Sequence, residues 1–503
     1  MAGRRKSSRK SRTRGALRTA KFVCGAAVEH GPVELLEKAR KFRRPRGIHT
    51  RRVIPKVRRG AAAPDAAPSA AMAIDRPAPP RAAARRRTGR RALEAAADLS
   101  IVQNVELRAI SNLDTASDVC EPSVACRDDV VFYTGNWFAA LSTDGGAHFR
   151  FVDPNTAFPD PPGMTFCCDQ IVHYIRKIDT FVWLLQYGED ASGANIQRLA
   201  YARTADVRLG RWRTVDLTPR MLGVPGQFLD FPDIALGTNM LYVTTNAFRG
   251  ERWTTSIIVR LPFSGLRSGN VRAQRAASTT NFNFRIAQHC GTTAYFASHE
   301  DSSTLRVYSW PERSASPRFR DVSVASWDAD DYGSRAPGRR QWLRRADSRL
   351  LGATKAGDHL YFAWSAGRGG ANQRPQPYVQ VAKVSARTKR LLENINIWDA
   401  SFATAYPALA TNSRRQVGIT FALGGGRHHP SQVVGTLTGR DRYLIARAGR
   451  ATPRSGQWGD YLTIRRRYPN PALFSVAGFT KKSSTSANDS TPSYVVFGRS
   501  SHV

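Results

Sequence analysis

The chain has 503 residues, of which 41% are hydrophobic and 10% aromatic, enough to build a core and to exclude wholesale disorder. Lys and Arg number 76 against 39 Asp and Glu, a formal net charge of +37. No apolar run reaches the ~18 residues that a membrane-crossing helix needs, so no membrane span is expected.

The charge is uneven. Residues 1–95 hold 27 Lys and Arg against 6 Asp and Glu, so more than half of the excess sits in less than a fifth of the chain. This leader reads MAGRRKSSRKSRTRG, then RKFRRPRGIHTRRVIPKVRRG, then an Ala/Pro/Arg tract ending in AAARRRTGRR. Its average composition buries too little apolar area to offset chain entropy, which predicts a disordered basic arm over 1–98. Three readings of the arm stand side by side. Clustered arginines can neutralise phosphates on nucleic acid or an anionic surface. A targeting segment would need a 7–15-residue apolar core, and Phe22 to Val28 is short and interrupted. Translation from a start codon placed too far upstream would also give this text, because only 12 of the 76 basic residues are Lys, as GC-rich coding DNA dictates.

From about Leu99 charge runs stop, and short apolar segments alternate with Gly, Pro, Asn and Asp, an all-β pattern. A short strand entered by a polar residue recurs at 122–126, 169–174, 232–237, 284–289, 349–356, 407–412 and 460–466. Each is followed by an apolar strand (VVFYTGN, FVWLLQY, LYVTTN, AYFASH, LYFAWSA, VGITFALGG, ALFSVAGF) and then by an alternating third strand; most units show a fourth. The seventh unit ends after its third strand, while a spare strand, 101–110, precedes the first. Circular closure accounts for both facts. The pattern therefore predicts one β domain over 99–503, a seven-bladed β-propeller closed by the N-terminal strand, with six blades the alternative if one unit is misjudged.

The hairpin Ser142-Thr143-Asp144-Gly145-Gly146-Ala147-His148-Phe149 resembles an Asp-box, the S-x-D-x-G-x-x-[W/F] turn of sialidase and BNR-repeat propellers. Asp144 can bond amides inside the turn, the glycines permit positive φ, and Phe149 can anchor the next strand. The resemblance implies that Ser142, Asp144, Gly146 and Phe149 stabilise the fold and lie away from any active site. FCCDQ (166–170), LDFPDIA (229–235), AYPALA (405–410) and WGDYLTIR (458–465) also resemble a group of bacterial BNR/sialidase-like propeller proteins without an assigned activity.

In a propeller the entrances of the innermost strands converge on a channel mouth. Those positions hold Glu121, Asp169 with Gln170, Asp233 with Asp230 before it, Arg285, Asp347 with Arg349, Tyr406, and Asp460 with Tyr461. The resemblance makes a glycan-type ligand at this mouth the leading expectation, with Gln170, Arg285, Arg349, Tyr406, Tyr461 and Arg465 as binding candidates. The alternative is a sialidase-like glycoside hydrolase that uses Asp169, Asp233 or Asp460 with Glu121, because such hydrolysis needs one protonated and one ionised carboxyl. A protein–protein platform is the third class. The same oxygens could hold a divalent cation, and no organic cofactor is expected. Arg285, Arg349 and Arg465 are candidates for an anion clamp, but the three arginines, Tyr–Glu pair and acid of a full sialidase site cannot be assembled position by position. His428-His429 follow a Gly run in what reads as a solvated loop.

Six cysteines occur, at 24, 120, 126, 167, 168 and 290. A Cys120–Cys168 bridge between neighbouring first strands would suit an exported protein. Adjacent Cys167 and Cys168 read as buried small hydrophobes or as a soft-metal pair. A secreted or cell-surface location is expected if the true N-terminus differs from the printed one, and a cytoplasmic location otherwise.

Overall fold

The computed structural model describes residues 16–40, 52–61, 74–75, 99–107, 116–370, 373–438, 443–483 and 489–503. Seven sheets follow one another in chain order, each an antiparallel meander that begins at the channel and steps outward, with Ile74–Asp75 added in parallel to the outer strand Tyr443–Arg447 of the sixth. The innermost strands of blades 1 to 7 are Ser123–Arg127, Phe166–Ile175, Phe228–Leu236, Arg285–Ile286, Leu350–Ala356, Ala403–Thr411 and Thr463–Arg466. The last blade takes three strands from the C-terminus. Its fourth is Leu99–Glu106, antiparallel to Ser490–Arg499. The chain thus closes its ring with the spare strand that the repeat pattern left over. A two-stranded ribbon, Arg335–Ala336 with Arg340–Gln341, lies outside the seven sheets.

The second strand of each blade explains the apolar runs in the sequence. Thr180–Tyr187 and Val417–Gly425 are buried at every position because blades cover both of their faces. Phe132 of blade 1 meets Trp183 of blade 2 edge-on at 5.0 Å, and Trp183 meets Trp212 at 5.6 Å. Side chains of this size each stabilise the blade interface by about 1.5–3 kcal/mol through burial.

The leader departs from expectation within its described residues. Arg18–Ala26 pairs with Asn270–Ser278 as a fifth, outermost strand of blade 3, and Val28–His30 does the same on Trp212–Leu217 of blade 2. The composition average hid a local period of two. Ala20, Phe22 and Cys24 turn inward while Thr19, Lys21 and Val23 are exposed, and Cys24 joins the blade core. An outer blade edge has unpaired amides and carbonyls, and this segment covers them. Residues 52–61 cross the loops of blades 2 to 4, with Arg52 paired to Glu189 at 2.8 Å and Arg58 to Glu300 at 2.9 Å. Residues 1–15, 41–51, 62–73 and 76–98, where most of the Arg-rich text lies, fall outside the described residues.

The Ser142–Phe149 hairpin joins the third and fourth strands of blade 1. Its Asp144 Oδ1 accepts the amides of Ala147 and His148 at 3.0 Å each and the Ser142 hydroxyl at 2.7 Å. Gly146 has φ +93°, and a Cβ there would stand 2.5 Å from the Tyr494 ring of blade 7. Phe149 packs edge-on against Tyr133 and Tyr494, so the turn fastens blade 1 to the closing blade. Burial alone would raise the Asp144 pKa, but the donated hydrogen bonds outweigh it and hold the carboxyl at about 2. Its stabilisation is therefore complete above the ordinary carboxylate range and is lost as pH falls toward 2. Asp144→Ala is expected to lower stability by about 1–2 kcal/mol at neutral pH, with a smaller difference at pH 2–3, as read from urea unfolding. An equal difference at both pH values would contradict this account.

Candidate functional site

Three blades bring the chain to the channel by the same strained device. Glu121, Phe231 and Tyr406 have φ of 48°, 53° and 58°, and each precedes a proline, just before the inner strand in blade 1 and at a break in its pairing register in blades 3 and 6. Left-handed backbone at non-glycine residues costs on the order of 1–3 kcal/mol, and a following proline narrows the choice further. Asn283 adopts the same conformation at the start of blade 4. The strain turns one side chain per blade into a shared cluster.

The centre of that cluster is Asp460. Arg345 grips it with Nε on Oδ1 at 3.1 Å and with Nη2 on Oδ2, and Arg349 Nη2 shares Oδ1 at 3.1 Å. Both arginines come from the segment that leads into blade 5. Arg349 is also held by Asp347, at 2.7 Å, and its guanidinium lies 3.9 Å over the Phe231 ring. Arg345 reaches Glu121 at 3.6 Å. Tyr406 stacks at a tilt on Trp458, 5.6 Å away, within the same knot.

The electrostatics separate the carboxyls into two kinds. Burial opposes ionisation of Asp460, but Arg345 and Arg349 outweigh it and hold its pKa below the ordinary carboxylate value. Glu121 is driven the other way, by burial first and then by the charges of Asp169 and Asp460. Asp169 is raised to about 7 by burial and by Asp230. Burial and the mutual repulsion of these carboxyls favour a proton on one of Glu121 and Asp169. Asp230 is raised by burial, opposed by a 2.9 Å hydrogen bond from Gln186. Near neutral pH the cluster thus contains at least one carboxylic acid beside a firmly ionised carboxylate.

Other groups here lack internal partners. The hydroxyls of Tyr406 and Tyr461 are buried with no hydrogen bond, as is Glu121 Oε2. Cys167 and Cys168 form a disulfide with each other, immediately before Asp169, and Gln186 Nε2 lies 3.5 Å from Cys168 Sγ. The Cys120–Cys168 bridge and the dithiol metal pair are therefore corrected. Cys120 is a free buried thiol, as are Cys24, Cys126 and Cys290. Among the described residues no three His, Cys, Asp or Glu side chains are arranged to hold a metal ion. Arg345 and Arg349 already stand where a cation would balance these carboxyls.

The structure sorts the candidates read from the sequence. Glu121, Asp169, Asp460, Arg349, Tyr406 and Tyr461 converge. Asp233 and Arg285 pair with each other at 3.3 Å, and Arg465 is drawn to Asp233. The expected clamp is therefore divided, with Arg349 in the entrance cluster and Arg285 and Arg465 farther along the channel. Gln170 is not a ligand group. Its amide donates to the carbonyls of Gly135 and Phe138 at 2.6 and 3.0 Å and accepts Trp183 Nε1 at 2.9 Å, which uses it up as a tie between blades. His428 begins a strand, His428–Thr436, instead of lying in a solvated loop. Sequence reasoning missed Arg345, Phe231 and Arg52, whose charge acts on Asp230. The pre-proline aromatics of LDFPDIA and AYPALA carried a signal for Phe231, whereas nothing marks Arg345 among the many arginines.

No family model and no curated protein matches the chain. Solved structures do. The GH93 α-L-arabinofuranosidase of Fusarium graminearum with arabinobiose shares 12% identity over 79% of this chain and 97% of its own, at a TM-score of 0.40. Trypanosoma rangeli sialidase with sialic acid shares 10%, covering 65% and 55%, at 0.36. A prolyl endopeptidase shares 11%, covering 77% and 50%, at 0.39. The chain spans about half the length of the last two. Likeness at this level leaves the chemistry to be argued from the residues.

The raised Asp169 pKa sets a pH dependence. Between the ordinary carboxylate pKa and about 7 the native state keeps a proton that the unfolded chain has lost, so stability falls as pH rises through that window. Asp169→Asn removes this titration. Urea unfolding from pH 4.5 to 8.5 is expected to show a shallower decline in the variant than in the parent; parallel curves would mean that Asp169 does not hold the proton.

Proposed function

We propose that this propeller recognises a small polyol, of the glycan type, at the Asp460 end of its channel. The observation that carries the reading is the mixture of unmatched polar groups in one buried cluster. Tyr406 and Tyr461 hydroxyls and Glu121 Oε2 have no partner, beside an ionised Asp460 and a protonated Glu121–Asp169 pair. Buried polar atoms are normally satisfied, so a set of this kind calls for a ligand that both donates and accepts at close spacing. Vicinal hydroxyls do both. Phe231 and the disulfide add apolar surface of the sort that a sugar face covers.

A second reading has its own support. Asp169, with a pKa of about 7, suits a general acid, while Asp460 is held ionised, and glycoside hydrolysis divides its labour in this way. Asp169 with Asp460 is the pair to test.

The deciding experiment incubates the full chain with a mixed glycan library that includes sialosides and reads captured and cleaved species by mass spectrometry. Capture without cleavage is expected. Tyr461→Phe should then weaken binding roughly 3–10-fold, and Asp460→Asn roughly 10–100-fold. Cleavage abolished by Asp169→Asn in a folded protein would replace binding with hydrolysis. If neither capture nor cleavage occurs, the polyol reading fails.

A further inference from the structure

The other end of the channel has the opposite chemistry. Inner strands run from the entrance cluster toward it, so Asp169 and Tyr174 of Phe166–Ile175 stand about 16 Å apart. At that far end lie His173-Tyr174 of the blade 2 strand, Gln288-His289 just past the blade 4 strand and Arg465-Arg466 at the end of the blade 7 strand, and a cavity of about 590 Å³ opens between them. Its charged lining residues are Arg176, Lys177, Arg465 and Arg466, with no Asp or Glu among them. Tyr174, Phe263 and Tyr468 supply aromatic wall.

The nearby acids are already engaged. Asp179 accepts the hydroxyls of Tyr174 and Thr204, at 2.9 and 2.5 Å, and Asp233 pairs with Arg285. Arg465 is 93% buried, taking its exposure of 7%. Its Nε has no partner, and Nη1 makes only a long 3.4 Å contact with the Ile464 carbonyl. Arg466 is fixed by carbonyls of Thr411, at 3.1 and 2.9 Å, and of Asn412, so its headgroup is positioned but its charge is not neutralised. His173 is locked neutral, with Nδ1 accepting the Tyr174 amide at 2.9 Å and Nε2 donating to Gln288 at 3.0 Å. Burial, and then the neighbouring arginines, push both His173 and His289 below their ordinary range. Arg465 and Arg285 share the single carboxylate of Asp233, which leaves an excess of positive charge there, and such charge is costly in a protein interior unless an anion joins it.

We infer that this cavity binds an organic phosphate, its phosphoryl group on Arg465 and Arg466 and its apolar body against Tyr174, Phe263 and Tyr468. A guanidinium fork matches two phosphoryl oxygens, and a dianion suits a site whose every charged side chain is a cation. The inference concerns a different place from the polyol cluster and does not rest on it.

Calorimetric titration of the full chain with phenyl phosphate tests it, with phenol and inorganic phosphate as controls. Phenyl phosphate should bind saturably and more tightly than inorganic phosphate, with affinity that falls as salt rises, and phenol should not bind. Arg465→Met, shown to be folded by its thermal melt, should weaken binding about 10–100-fold, the range for a lost charge-assisted bond. If that variant does not fold, the exposed rim pair Arg176→Ala/Lys177→Ala decides, with an expected loss of about tenfold. Absence of saturable binding by the parent at millimolar phenyl phosphate overturns the proposal. So does binding that the deciding variant leaves unchanged.

Discussion

Seven inner strands meeting on one axis force their polar ends together in a space that water barely reaches, and the charges there must be balanced from within. At the entrance this rests on one contact, the seat of Asp460 between Arg345 and Arg349. Three guanidiniums, those of Arg345, Arg349 and Arg52, face five carboxyls, those of Glu121, Asp169, Asp230, Asp347 and Asp460. The shortfall is met by protons, which is why Glu121 and Asp169 rise together while Asp460 stays ionised. Removing one arginine would leave a buried carboxylate uncompensated, a far larger disturbance than the loss of a surface ion pair.

The backbone serves the same balance. The pre-proline residues at positive φ place Glu121 against Arg345, Phe231 beneath Arg349 and Tyr406 beside Trp458. Strain of this kind persists only where surrounding structure over-determines it, and the blade interfaces provide that rigidity. The closing strand Leu99–Glu106 belongs to the same mechanical unit, because an open ring would let blades 1 and 7 part and would widen the cluster between Glu121 and Asp460.

Much of this was legible from residue order. Apolar second strands, alternating third strands and one spare strand before the first unit give seven blades and their closure, since period and count survive low sequence similarity between blades. Convergence of Glu121, Asp169, Tyr406, Asp460 and Tyr461 followed from topology alone. Three features were not legible, each for a physical reason. The leader's strand at Arg18–Ala26 is a short period-two window inside a composition that averages to disorder. Gln170 and the converging residues occupy equivalent positions, but alternation along the strand turns its amide into the blade interface. Arg345 matters because of a loop path that no local pattern encodes.

The two ends of the channel form an axial dipole built from side chains. Protonatable carboxyls and Asp460 crowd one end, and Arg465, Arg466, Arg176 and Lys177 line the other, with Asp233 and Arg285 paired between them. Such an arrangement resists a single ligand threading the whole channel, since a group favoured at one end is repelled at the other. The Asp233–Arg285 pair also screens the two ends from each other, because Arg465 feels Asp233 as attraction and Arg285 as repulsion. The charge thus reverses along the axis, from carboxyls around Asp460 to the arginines that line the cavity at the other end. Coupling between the two ends would have to pass through the strand Thr463–Arg466, which begins three residues after Asp460 and carries Arg465.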